Sequence, residues 1–152
     1  MAVIIDIGEA NDIHPRNKQD VGGRLAQWAL HQTYSMKNLV ASGPLYRDFK
    51  VEEDSVRLMF DNVGKGLMVG MKKGLEPTRE AADAKLARFA VAGKDKVWHW
   101  AEATIDGETV VVKSSNVANP VAVRYAYSMN PVGANLYNRD GFPAAPFRTD
   151  NW

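Results

Sequence analysis

Residues Asn11 to Pro15, with the sequence Asn-Asp-Ile-His-Pro, combine residue types whose spacing could do chemistry. Asp12 lies two positions before His14, and a carboxylate beside a histidine is how a general base is held in serine esterases built on α/β sheets. Such a base needs a nucleophile, yet no serine here lies in a Gly-x-Ser-x-Gly elbow or in a Gly-Asp-Ser or Gly-Gln-Ser block. The pattern therefore predicts half of an active site.

His14 also has a structural interpretation, as a surface histidine that hydrogen-bonds the turn before a helix. If His14 is the base, the sequence does not fix the acid that orients it. Many esterases of this kind place the acid three residues before the histidine, where this chain has Asn11. Asp12, Asp6 or a residue outside the chain could therefore take that role.

The other histidines give no metal site. His31 and His99 lie far from His14 in sequence, no pair has metal-ligand spacing on one helix, and the chain has no cysteine. We therefore predict no metal site. The lack of cysteine excludes disulfides but leaves the cellular compartment open.

Two tryptophans and two arginines are candidates for ligand binding. Trp98 and Trp100 lie on one face of a predicted strand, where they could stack on a sugar ring or pack in a core or an interface. Arg124 and Arg148 could contact a ligand carboxylate, although most such arginines are solvated or pair locally. The sequence leaves both alternatives open.

A strand and a helix must position the histidine. Val3 to Ile7 is an apolar run that predicts a strand buried on both faces of a parallel sheet. A helix from about Asn17 to Tyr34 follows, with Asn17 as its N-cap and Asp20 three residues on. Residues 1–40 are thus predicted to be the last strand and helix of an incomplete α/β domain.

The predicted helix has one apolar face and an unusual pair of glycines. The face consists of Val21, Leu25, Trp28 and Ala29. Gly22 and Gly23 each cost on the order of 1 kcal/mol relative to alanine inside a helix. We therefore expect them to contact a neighbouring element closely.

Residues 43–152 are predicted to form an antiparallel, β-sandwich-like domain, which makes the fold class α+β. Strands are predicted over Val56–Phe60, Trp98–Ile105, Thr109–Lys113 and Val121–Tyr127. Asp106-Gly107 predicts a hairpin turn between the second and third of these strands.

Two stretches of the β-rich region have a less regular pattern. Glu76 to Ala92 predicts a short helix that begins near Pro77. Asn130 to Trp152 predicts an ordered loop instead of regular structure. The aromatic residues expected to pin that loop are Tyr137, Phe142 and Phe147.

Charge and composition exclude several kinds of partner. The 152 residues suffice for one ordinary domain, or for a small domain plus part of another. The net charge is +1 and neither sign forms a block, so we expect no nucleic-acid partner. No apolar stretch approaches the roughly 20 residues of a membrane span, and the N-terminus lacks the pattern of a signal peptide. We expect no membrane partner, and localisation stays unknown.

A lone strand and helix cannot bury a strand that needs neighbours on both sides. Either another segment or chain completes the sheet, or the unit folds back onto the β-rich region. A homodimer that pairs two copies of the strand from Val3 to Ile7 is a further alternative.

Sequence runs along nearly the whole chain carry a family resemblance. They are Ile5-Asp6-Ile7-Gly8, Asn11 to Pro15 with Asn17-Lys18, Val21-Gly22 with Arg24-Leu25-Ala26, Ser42-Gly43-Pro44, Trp98 with Ala101 and Ala103, Pro120 to Ala126, Asn135 to Asn138, and Pro143 to Asp150. Together they resemble the C-terminal part of the sialate O-acetylesterase family, a branch of the SGNH hydrolases.

The resemblance implies hydrolysis of acetyl esters on sugars, such as O-acetylated sialic acids or other glycans. Family members use a serine from an early motif and a histidine from a late one, and the late histidine maps onto His14. The serine block maps onto nothing here, and Met1-Ala2-Val3 resembles interior family sequence, which predicts a fragment. We therefore expect activity only with a serine-bearing segment supplied in cis or in trans, and no cofactor. Such families are often secreted, periplasmic or lysosomal.

A non-enzymatic function is the alternative. In that case the β-rich region binds glycan or supports a neighbouring domain, and His14 has no catalytic role.

Overall fold

One helix precedes eleven short β-strands in this protein. The computed structural model describes all residues from Met1 to Trp152. The elements are α1 (Lys18–Gln32), β1 (Leu45–Glu52), β2 (Ser55–Asp61), β3 (Leu67–Met71), β4 (Arg79–Glu80), β5 (Phe89–Ala92), β6 (Trp98–Trp100), β7 (Glu102–Asp106), β8 (Thr109–Lys113), β9 (Ala122–Tyr125), β10 (Leu136–Asn138) and β11 (Phe147–Arg148). Helix α1 is neither long nor apolar enough to cross a membrane. This content agrees with the predicted α+β class.

The strands form three antiparallel sheets with the orders β1-β2-β8-β7, β10-β3-β4 and β11-β9-β5-β6. In β2, the residues that alternate inward are Val56, Leu58 and Phe60, and the first two pair with Val112 and Val110 of β8. The core consists of 16 buried residues that come from all three sheets. The three sheets therefore share one core.

The predicted hairpin at Asp106-Gly107 is present. It joins β7 to β8, and Gly107 has a φ of +60°, which glycine adopts at little cost. The predicted strand from Trp98 to Ile105 is interrupted at Ala101, because β6 pairs with β5 whereas β7 pairs with β8. This stretch therefore passes from one sheet to another.

The strand predicted at Val3 to Ile7 is not formed, and that prediction was wrong. Val3 and Ile7 are buried, but Ile7 N–H donates to Ile4 O in a turn. A parallel strand takes its backbone hydrogen bonds from neighbouring strands, and none of the eleven strands pairs with this segment. No terminal βα unit of an SGNH-type domain is therefore seen, and the strand on which the predicted homodimer depends is absent.

Helix α1 begins and ends close to the predicted residues. Asn17 is its N-cap, since the Asn17 Oδ1 accepts from Asp20 N–H at 3.0 Å and the Asn17 Nδ2 donates to the Asp20 carboxylate. The predicted apolar face is confirmed only in part, because Val21 and Trp28 are half-buried whereas Leu25 and Ala29 are exposed. Arg24 is the one buried residue of the helix. A methyl group placed on Gly22 or Gly23 would have no neighbouring atom within 4 Å, so the expected close contact is also absent.

The two less regular stretches differ from their predictions. Between Glu76 and Ala92 there is no helix, and the chain forms β4 and β5 instead. The Ala-rich pattern there has no apolar stripe that could stabilise a helix, whereas Phe89 and Val91 are buried between sheets. The C-terminal stretch is an ordered connection, as predicted, but it also contributes β10 and β11.

Candidate functional site

An ion pair between Glu9 and Arg16, here called the clip, closes the loop that contains His14. The Arg16 guanidinium donates to both carboxylate oxygens of Glu9 at 3.0–3.1 Å, and the Arg16 N–H donates to Glu9 Oε1 at 2.9 Å. The hydrogen bonds from Arg16 hold the pKa of Glu9 below its ordinary value. Asp12 N–H also donates to Glu9 O within the loop. The loop from Glu9 to Arg16 is therefore tied at its two ends, directly before helix α1.

Asp12 holds His14 through one carboxylate oxygen. The Asp12 Oδ1 accepts from the His14 N–H at 2.8 Å and lies 3.4 Å from the His14 Nδ1. The His14 side chain is 79% exposed, and no protein group hydrogen-bonds its Nε2. A carboxylate at Nδ1 favours the tautomer that carries the proton there, which leaves Nε2 as the acceptor. The imidazole is thus accessible, and it is not enclosed among aliphatic side chains.

Asp6 is engaged elsewhere and does not contact His14. Its carboxylate accepts two bonds from the Arg24 guanidinium, at 2.6 and 2.8 Å, and one from the Tyr137 hydroxyl at 3.1 Å. The same guanidinium donates to Val3 O. Asn11, which lies where many such esterases have the acid, is exposed and makes no side-chain hydrogen bond. Of the acids that the sequence left open within the chain, Asp12 is the one beside His14.

The buried ion pair between Asp6 and Arg24 shapes the electrostatics of the N-terminal segment. Burial alone would lower the pKa of Arg24, but its hydrogen bond to Asp6 raises it, so the guanidinium stays charged. Burial and the negative charge of Asp6 raise the pKa of Tyr137, so its hydroxyl stays protonated and donates. These three side chains connect the N-terminal segment, α1 and β10.

Two further polar contacts attach the start of α1 to the β-rich region. Asn17 Nδ2 donates to Gly74 O at 3.1 Å, and Lys72 Nζ lies 2.6 Å from the Asp20 carboxylate. Burial would raise the pKa of Asp20, but hydrogen bonds from Lys72 and Asn17 hold it below its ordinary value. The segment therefore folds back onto the β-rich region, which was one of the predicted alternatives.

The predicted binding residues separate into structural and accessible groups. The Arg124 guanidinium lies 4.0 Å from the centre of the Trp98 ring and makes two hydrogen bonds to Asp150, at 2.7 and 2.9 Å. Arg148 lies 3.8 Å from the same carboxylate. Local pairing, the alternative left open for both arginines, is therefore what the structure contains. Trp100, by contrast, is 70% exposed.

The polar residues of the Asn-Leu-Tyr-Asn run hold neighbouring loops together. Asn135 bonds the backbone of Lys85 and of Ala87, and the fully buried Asn138 donates to the carbonyls of Ser42 and Asn62. The buried amide of Asn138 is satisfied, which is what a folded interior requires. These motif residues have structural roles.

A crystal structure of another protein matches this chain along nearly all its length. The identity is 46%, the match covers 99% of this chain, and the TM-score is 0.88. That protein is a carbohydrate acetylesterase from Xanthomonas citri. The chain spans 32% of the length of that acetylesterase. No protein-family profile and no curated protein sequence matches the chain.

Similarity to the acetylesterase confirms the broader part of the resemblance, which is that this chain is similar to part of a carbohydrate esterase. The narrower assignment to the sialate O-acetylesterase family stays a prediction, as do the roles of His14 and Asp12. Sequence reasoning missed the clip between Glu9 and Arg16. Its one signal was a pair of opposite charges at the two ends of the loop.

Proposed function

We propose that this chain is the histidine-bearing part of a carbohydrate O-acetylesterase related to the sialate O-acetylesterases of the SGNH superfamily. The observation that carries the proposal is the 46% identity to an acetylesterase over 99% of this chain, when the chain spans 32% of that protein. In this proposal residues 1–40 belong to the catalytic domain, and residues 43–152 form a separate β-rich domain. The serine nucleophile comes from a segment outside this chain.

In the proposed reaction His14 transfers protons and the serine attacks the substrate. His14 Nε2 removes the proton from the incoming serine hydroxyl, whose oxygen attacks the acetyl carbonyl. His14 then returns the proton to the sugar oxygen that leaves, and an acetyl ester remains on the serine. The same imidazole removes a proton from water, which attacks that ester; the imidazole then gives the proton to the serine oxygen, and acetate is released.

Asp12 acts on the histidine and not on the substrate. Its Oδ1, 3.4 Å from Nδ1, stabilises the positive charge that the imidazole gains when it takes the proton. The clip between Glu9 and Arg16 fixes the ends of the loop, so that the imidazole does not have to be ordered in each cycle. The donors that stabilise the oxyanion are assigned to the serine-bearing segment.

A reconstitution assay tests the proposal. The 152-residue chain is mixed with the serine-bearing portion of the longer acetylesterase, and hydrolysis of p-nitrophenyl acetate and of an acetylated sugar is measured. We expect neither part alone to be active, and we expect His14→Ala to lower kcat in the mixture by about 10⁴-fold or more. Asp12→Asn should cause a smaller loss, because Asp12 is half exposed.

His31→Gln is the matched control, since a glutamine amide can still hydrogen-bond the Leu39 carbonyl that His31 contacts. Its activity should equal that of the unmodified chain. Unchanged activity of His14→Ala in an active mixture would remove His14 from the mechanism.

A further inference from the structure

The outer face of the sheet β11-β9-β5-β6 carries an ordered row of side chains. Strand register aligns Trp100, Ala90, Arg124 and Arg148 across the four strands. The adjacent row, Phe89, Tyr125 and Phe147, points into the core and is buried. Because side chains alternate between the two faces of a strand, the first row faces away from the core.

This outer row forms a groove. Trp100 and Arg124 are two strand spacings apart, which is roughly 10 Å. The small side chain of Ala90, between them, forms the bottom of the groove. The groove has a volume of about 340 Å³ and is also lined by Trp98, Tyr127 and Arg88. No residue of the loop around His14 lines it.

The groove is positively charged. None of the residues that line it carries a carboxylate. Arg88 forms no ion pair; its Nε donates to Val132 O, and its terminal nitrogens make no hydrogen bond within the protein. Arg124 is neutralised by Asp150, whose side chain is fully buried. The charge available to a ligand is therefore that of Arg88.

The groove also offers aromatic surface. Trp100 is 70% exposed, and the Arg88 guanidinium lies 5.9 Å from the centre of its ring. Tyr127 is half exposed, and the Arg124 guanidinium lies 4.8 Å from the centre of its ring. Trp98 is different, because Arg124 already covers one face of its ring. An exposed indole can pack against the apolar face of a pyranose ring, while a guanidinium beside it pairs with a carboxylate.

We propose that this groove binds a glycan residue that carries a carboxylate, such as a uronic acid. The sugar ring packs on Trp100, and Arg88 pairs with the carboxylate through its two free NH₂ groups. The site is independent of His14 and of the function proposed above.

Calorimetric titration of the 152-residue chain with tri-galacturonic acid tests this proposal, and the methyl ester of the same trisaccharide is the matched neutral probe. We expect the acid to bind at least tenfold more tightly than the ester, because a charge-assisted pair is lost on esterification. Equal affinity for acid and ester, or no binding of the acid, would overturn the proposal.

Two variants locate the site. Trp100→Ala and Arg88→Gln should each weaken binding of the acid about tenfold, and Arg88→Gln should leave the affinity for the ester unchanged. Arg47→Gln changes an exposed arginine of β1 and is the matched control. His14→Ala should bind the acid as the unmodified chain does, so failure here and failure of the esterase proposal are distinguishable. Acid binding that survives both groove variants would place the ligand elsewhere and contradict the proposal.

Discussion

The N-terminal segment, residues 1–40, and the β-rich region, residues 43–152, are stabilised in different ways. Val3, Ile7 and Arg24 are the buried residues of the segment. All 16 members of the core cluster lie between Val56 and Phe147. The β-rich region is therefore held by apolar packing, whereas the segment is held mainly by hydrogen-bonded charges.

The two regions also differ in which residues they expose to a ligand or substrate. The segment exposes His14 on the loop closed by Glu9 and Arg16, and it also leaves Ile13 and Leu25 exposed. The β-rich region buries its apolar residues and exposes a groove on one sheet. An element with few buried contacts opens at low free energy, so the polar anchors between the two regions decide whether the loop around His14 is ordered.

Loss of the buried ion pair should have the largest effect on stability. Arg24→Met leaves Asp6 buried without its cation, which typically costs about 3–5 kcal/mol. We expect hydrogen exchange to show that α1 loses protection while β2, β5, β8 and β9 keep theirs. Leu58→Ala is the converse control, because it creates a cavity in the core and should lower protection throughout the sheets. Retained protection of α1 in Arg24→Met would contradict the contrast drawn between the regions.

Asp150 should make the β-rich region sensitive to acid. Hydrogen bonds from Arg124 hold the pKa of Asp150 below its ordinary value, so the unfolded chain binds the proton first. Its contribution, about 1.5–3 kcal/mol for a charge-assisted hydrogen bond, is present at neutral pH. It is lost as the pH falls below about 4 toward the folded pKa.

Urea unfolding at pH 7 and pH 3 measures this contribution. Asp150→Asn should be less stable at pH 7 and should lose less stability on acidification than the unmodified chain. Asp61→Asn changes an exposed pair with Arg47 and should alter stability by less than about 1 kcal/mol. A pH dependence that is identical in Asp150→Asn and the unmodified chain would show that this ion pair contributes nothing.

A substitution at Gly70 tests the packing against Tyr137, which anchors the N-terminal segment through Asp6. A Cβ at this position would lie 2.4 Å from the Tyr137 ring, whose hydroxyl binds Asp6. Gly70→Ala should therefore destabilise the protein by about 1–3 kcal/mol through overpacking. Thermal unfolding measures the loss, and Gly107→Asn, at a turn with open space around it, is the control. Wild-type stability of Gly70→Ala would show that the Tyr137 ring can move without cost.

The smallest effect is expected in α1 and has the opposite sign. Gly23 is exposed in the helix interior with no neighbour within 4 Å, so Gly23→Ala should stabilise the 152-residue chain by about 0.5–1 kcal/mol. Denaturant unfolding measures the gain. If the same variant weakens reconstitution of esterase activity, the serine-bearing segment packs on this face of α1. A loss of stability in the chain alone would contradict the open surface seen there.

Local signals in the sequence were sufficient for several elements. The N-cap at Asn17, the hairpin at Asp106-Gly107 and the alternation of β2 depend on hydrogen bonds or side chains within a few residues. The strand predicted at Val3 to Ile7 failed because an apolar run cannot become a strand without a partner edge. The helix predicted near Pro77 failed because burial of Phe89 and Val91 between sheets outweighed local preference.

The contacts of the candidate site are likewise of two kinds, local ones that the sequence predicts and long-range ones that it does not. Asp12 and His14 are two residues apart, so their contact could be expected from the sequence, and it is present. The tie between Asp6, Arg24 and Tyr137 joins residues up to 131 positions apart, and no local pattern predicts it. The groove likewise depends on strand order, which aligns Trp100 with Ala90 and Arg124.

The sequence by itself determined the helix cap, the turns, the alternation of the strands and the residues near His14, because each is governed by near neighbours in the chain. The tertiary structure alone decided which side chains engage Asp6, which arginine is neutralised and which tryptophan is exposed. Those outcomes depend on burial and on contacts between distant segments, and both are set only when the sheets pack.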